Sequence, residues 1–228
     1  MVTNQGPVVI APQRSESLFL RIFSQPCGTL YATASNPQGQ DVMLLGYDPV
    51  AYFTVNKPLR GNKAIQHSLE NPPRTYYFAS DQHKQIFLAA PAKFEPQYGG
   101  FRASGAAYRI KLGSDPTEFE IPNGRLFIFG DILGREMWKL FRDEHIRYAD
   151  QVWPEIKDQG WRKASLLGYT SKVAWYRDGK TLHEEFQRQN PGKTLSYNPG
   201  GLFTNLLLKS PGWRAAEGFG QPALGWPE

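Results

Sequence analysis

The chain has 228 residues with 40% hydrophobic and 14% aromatic content, enough to build a core and too apolar for disorder over most of its length. Its formal charge of +5 comes from 26 basic and 21 acidic residues that are interspersed, so no Lys/Arg stripe tracks phosphates and a nucleic-acid partner is not expected. A single cysteine, Cys27, excludes an intrachain disulfide, and no stretch approaches the roughly 20 apolar residues that cross a bilayer, so no membrane partner is expected either.

Residues 1–43 read as an N-terminal extension punctuated by Pro7, Pro12, Pro26, Gly28 and Pro37. The start lacks a basic segment followed by a long apolar one, which points to a cytoplasmic protein, or a periplasmic one if a leader has been removed. Leu18–Phe23 is the ordered-looking element here, and periodicity leaves helix and strand both open. Cys27 lies between Pro26 and Gly28 with no base or helix start beside it, the setting of an inert thiol.

Residues 44–153 carry the strongest local signals. Val50–Val55 is rich in β-formers and predicts a strand ending at Asn56, and Thr75–Ala79 predicts a second. Ser80 then caps a helix from Asp81, with His83, Ile86, Phe87 and Ala90 on one face and Pro91 as its limit. Asn123-Gly124, between β-formers at 118–122 and 126–130, predicts a hairpin whose two central residues take positive φ. One long amphipathic helix is expected over about 133–157.

Residues 154–228 form a C-terminal extension. From Pro191 onward it is rich in Gly and Pro, which predicts irregular chain with one short helix at Leu202–Lys209. Trp213, Phe219, Leu224 and Trp226 are too apolar for a free tail, so the arm is expected to cover its own domain or a neighbouring subunit of a homo-oligomer.

Several of these segments resemble the YHS family. Gly46-Tyr47-Asp48-Pro49-Val50-Ala51-Tyr52-Phe53 is similar to its opening motif. Tyr77-Phe78-Ala79-Ser80 with Phe87 and Pro91 is similar to its strand–helix core, and Pro96–Phe101 to the segment that follows. Asn123–Phe127 with Ala149-Asp150 and Trp153-Pro154 looks like the hairpin and closing helix of bacterial members. The resemblance covers about half the chain. It implies an α+β fold in which a small antiparallel sheet packs on a long helix; the C-terminal extension lies outside the resemblance and is expected from its composition to be aromatic-rich and irregular. It also implies a site where thiolates from a strand and a helix start converge on copper or zinc. Those thiolate positions fall here on Ala51, Ala79 and His83, and a further cysteine position falls on Arg102, so the thiolate set is absent.

The candidate site is therefore a converted one. His83, with His67 if the fold brings it near, is the candidate ligand for a transition metal. Tyr47, Asp48, Tyr52, Tyr98, His83 and Arg102 are the candidate ligand-binding residues, with Arg102 as a charged anchor for an anionic or aromatic small molecule or, alternatively, a structural arginine paired with Asp48 or another acid. His145, spaced four residues from both Phe141 and Ala149, reads as a packing residue. His183-Glu184-Glu185 lacks the second histidine of a zinc protease, and Gly218-Phe219-Gly220 lacks the strand and helix of a dinucleotide loop. Three functions follow: binding of a small molecule or metal ion without turnover, acid–base catalysis by His83, Arg102 and the tyrosines, and assembly through the C-terminal arm.

Overall fold

The computed structural model describes residues 33–35, 41–70 and 73–193. Leu18–Phe23, Cys27, Leu202–Lys209, Gly218–Gly220 and the tail aromatics Trp213, Phe219, Leu224 and Trp226 lie outside the described residues. In chain order the elements are β1 (Thr33–Ser35), β2 (Asp41–Met43), α1 (Ala51–Thr54), β3 (Asn62–Leu69), β4 (Arg74–Phe78), α2 (Asp81–Ala89), α3 (Pro91–Phe94), α4 (Ala103–Ala106), β5 (Asp115–Glu120), β6 (Phe127–Phe129), α5 (Ile132–Leu140), α6 (Arg142–Ile156), α7 (Trp161–Thr170) and α8 (Gly179–Gln189). The class is α+β.

The larger sheet runs β1-β2-β4-β3, and β5 pairs with β6 in a separate antiparallel ribbon. The larger sheet is mixed where an antiparallel one was expected, because β2 joins β4 in parallel at Val42 and Thr75. The path explains this. From β2 the chain turns left-handed through Leu44, Leu45 and Gly46, forms α1, and runs out and back along the β3–β4 hairpin, so β4 returns in the direction of β2. The Asn123-Gly124 turn behaves as expected, with φ of 55° and 71° between β5 and β6.

Three expectations need correction. Val50–Val55 is not a strand; it contains α1. The Asp48 carboxylate accepts hydrogen bonds from the Val50 N–H at 2.8 Å and the Ala51 N–H at 3.4 Å, which captures the first free donors of a helical turn and outweighs the β-propensity of the side chains. The single helix over 133–157 is two, α5 and α6, broken at Phe141 (φ −131°, ψ 39°). At this break the Trp138 carbonyl accepts the Phe141 N–H at 3.3 Å and the His145 Nδ1–H at 3.0 Å. The part of the C-terminal extension that is described contains two regular helices, α7 and α8, rather than irregular chain.

Aromatic packing joins these parts. Tyr76, Phe78, Phe87 and Phe94 fill the space between the larger sheet and α2 and α3. Leu44, Tyr47, Tyr52, Leu126 and Ile128 tie the 44–54 segment to the ribbon. Phe127, Phe129 and Trp138, each at most 1% exposed, anchor the ribbon on the helices, and burial at this level stabilises by about 1.5–3 kcal/mol per side chain. The extension docks on the same core. Trp161 is buried against Phe101 and Trp153, and Trp175 stacks on Tyr148 at 4.3 Å while donating its Nε1–H to the Ala107 carbonyl. Among the described residues no helix is long and apolar enough to cross a membrane.

Candidate functional site

Ser80 stops β4 in an extended conformation (φ −151°, ψ 159°), and its Oγ accepts the His83 N–H at 3.2 Å. This cap starts α2 as expected and aims His83 back at the 48–51 turn. Asp48 waits there, fully buried. Its Oδ1 takes the Val50 and Ala51 N–H groups, and its Oδ2 takes the Ala79 N–H at 2.8 Å and the His83 ring at 2.6 Å. With both oxygens already accepting from the backbone, Nδ1 is the donor in the His83 contact. Nε2 is left 3.4 Å from the Thr54 hydroxyl, which itself donates to the Val50 carbonyl at 3.2 Å.

Ala51, Ala79 and His83, the positions to which the resemblance assigns thiolates, meet around one group. That group is the Asp48 carboxylate, which fills the junction and ties α1, β4 and α2 together. Arg102 is engaged elsewhere and is not the partner of Asp48. Its Nε donates to the Gly113 carbonyl at 2.6 Å and its Nη1 to Asp131 at 3.3 Å, and Gly130 lacks a side chain where a Cβ would overlap the guanidinium. His67 sits on β3 opposite Tyr76, half-buried. Among the described residues no three His, Cys, Asp or Glu side chains gather as a metal centre.

The three tyrosines divide between two places. Tyr47 is buried under the Arg60 guanidinium, 4.0 Å from the ring centroid. Tyr52 is fully buried and donates to the Pro116 carbonyl at 2.9 Å; burial, reinforced by neighbouring negative charge, holds its phenol well above the usual range. Both stand beside the Asp48 junction. Tyr98 stands apart, in a left-handed turn with Gly99 and Gly100, and donates its hydroxyl to Asp150 at 2.9 Å. Burial and then the Asp150 charge raise its pKa.

Tyr98 leads to a second feature that the sequence did not single out. It lines a cleft of about 420 Å³ between the larger sheet, the 95–99 segment and the C-terminal end of α6. Tyr76, Tyr98 and Trp153 line it; Tyr76 and Tyr98 are buried, and Trp153 is partly exposed, its ring packed 5.6 Å from that of Tyr98 at 60°. Arg74 and Glu95 pair at 2.7 Å on one side. Asp150 is held by Tyr98 and by two nitrogens of Arg125, at 2.6 and 2.8 Å. Lys157 and Asp158 close the remaining side, 3.9 Å apart.

Behind this wall lies Lys111, fully buried. Its ammonium donates to the Lys157 and Gln159 carbonyls at 2.8 and 2.7 Å, capping α6, and sits 5.0 Å from the Trp153 ring. Burial lowers its pKa to about 8, against the opposing charge of Asp158. No family model, no curated protein and no solved structure matches the chain.

Proposed function

We propose that the chain is a small-molecule-binding protein of YHS type, and that its ligand sits in the Tyr98–Trp153 cleft rather than at the converted metal junction. One observation carries this reading: an open cavity of about 420 Å³, within the size range of small-ligand sites, lined by the partly exposed Trp153 and rimmed by charge. The junction supports binding less well. Asp48 occupies it, and both of its oxygens are committed to the protein's own donors. Copper or zinc would find one imidazole there, where a tetrahedral site needs three or four ligands.

A second reading, acid–base chemistry by His83, is favoured by the 2.6 Å contact with Asp48, which orients the ring and leaves Nε2 beside Thr54. One experiment separates the two. Ala92 is exposed and lines the cleft, so Ala92→Trp fills it from outside without touching the core. Native mass spectrometry and elemental analysis of the purified full chain are expected to find an organic mass, present in His83→Gln and absent in Ala92→Trp. A copper or zinc ion, or an organic ligand, that disappears in His83→Gln and persists in Ala92→Trp would overturn the cleft reading.

A further inference from the structure

The charges around the cleft differ in how firmly they are committed. Glu95 is bound by Arg74 at 2.7 Å, and Asp150 by Arg125 and the Tyr98 hydroxyl. These contacts are short, and a ligand would have to break them to use the charges. Lys157 and Asp158 differ. They are consecutive, both exposed, and 3.9 Å apart, too far for a hydrogen bond between ammonium and carboxylate. A pair of this kind contributes little to the fold and is easily recruited.

A ligand with a single negative charge would gain from Lys157 but would face Asp158. A ligand with a single positive charge would gain from Asp158 but would face Lys157. Only a molecule with both charges close together complements the adjacent pair without meeting an uncompensated like charge. The partly exposed Trp153 adds a preference for a flat ring, which would pack against it. The backbone between Trp153 and the charge pair is braced by Lys111, whose ammonium holds the Lys157 and Gln159 carbonyls and packs on the Trp153 ring.

From this arrangement we infer that the cleft takes an aromatic zwitterion, of the chemical class of an α-amino acid with an aromatic side chain, with its carboxylate on Lys157, its ammonium on Asp158 and its ring against Trp153. The inference rests on the cleft being the ligand seat. The test uses three indole probes that differ only in charge: L-tryptophan, tryptamine and indole-3-propionate, titrated calorimetrically into the full chain. L-Tryptophan is expected to bind at least about tenfold more tightly than either mono-ion. Lys157→Ala is expected to remove that advantage over tryptamine, and Ala92→Trp to abolish binding of all three. Equal or tighter binding of a mono-ion, an unchanged ratio in Lys157→Ala, or no saturable binding of any probe overturns the ligand class. Loss of a co-purifying mass in Ala92→Trp would leave the cleft reading standing in each of those cases. Full retention of L-tryptophan by Ala92→Trp would instead show binding elsewhere and remove both.

Discussion

The Asp48 junction and the Tyr98–Trp153 cleft are both polar centres beside aromatic clusters, and they differ in where their hydrogen bonds go. At the junction the buried carboxylate's hydrogen bonds run to the chain itself: two N–H groups of the 50–51 turn, one at the β4–α2 boundary, and one imidazole. At the cleft the buried part of the network is likewise closed, with Asp150 held by Tyr98 and Arg125, but the rim ends in the loosely paired Lys157 and Asp158. Polar groups enclosed by their own backbone serve the fold. Those left at an open edge can serve a ligand. The two places therefore divide the residues by consequence, with stability at one and binding at the other.

The largest effect expected from this division is at Asp48. Asp48→Ala leaves the Val50 and Ala51 N–H groups, at positions with no exposed surface, and the Ala79 N–H without their acceptor, and it frees the His83 ring. Removing one partner of such a buried charged network costs about 3–5 kcal/mol. Urea unfolding should show it as a lower midpoint at unchanged slope. Asp48→Asn keeps one carbonyl acceptor and should cost less. If Asp48→Ala unfolds at the wild-type urea concentration and has lost its co-purifying ligand, the roles of junction and cleft are exchanged.

A smaller effect sharpens the comparison from a third buried polar group. His145 donates through Nδ1 to the Trp138 carbonyl, and its Nε2, 3.0 Å from the Tyr108 hydroxyl, accepts. The Tyr108 hydroxyl is the donor to this nitrogen when the ring is neutral, the form that burial favours. Burial lowers its pKa; the Trp138 bond opposes this, Arg177 adds to it and Glu144 opposes it. The unfolded chain then binds a proton below the ordinary 6.5 that the folded chain refuses. Stability is accordingly lost as pH falls through that value, by up to about 1.4 kcal/mol per pH unit until the folded ring also protonates. His145→Phe should be less stable at pH 7 yet lose this part of the slope between pH 7 and 5, read from melting temperatures of both proteins. Equal slopes would mean that the folded ring takes up its proton as readily as the unfolded one.

What could be read in advance follows the range of the forces involved. The Ser80 cap, strand β4 and the Asn123-Gly124 turn were legible because each depends on a few adjacent residues. Val50–Val55 misled because Asp48, two residues upstream, supplies acceptors that no propensity scale contains. The break at Phe141 was hidden because the Trp138 carbonyl there also accepts from His145 of the next helix. Convergence of 51, 79 and 83 was legible through the resemblance, but their common partner was not, since Asp48 read more naturally as a turn former. The cleft was invisible for a different reason. Its walls come from residues 74–76, 92–99 and 150–158, and a cavity is the absence of packing between distant segments, which no local pattern reports.

The smallest expected effect on stability is at the cleft rim. Lys157 and Asp158 have side chains 55% and 82% exposed and pair with each other at 3.9 Å, so Lys157→Ala and Asp158→Ala should each change unfolding free energy by less than about 0.5 kcal/mol. The capping of α6 by Lys111 does not depend on either side chain, because it uses the carbonyls of Lys157 and Gln159. Both variants should therefore melt with the wild type while weakening whatever ligand the cleft holds. A loss of stability comparable to that of Asp48→Ala would place these two charges with the fold, and the distinction between the enclosed carboxylate and the open rim would fail at its weaker end.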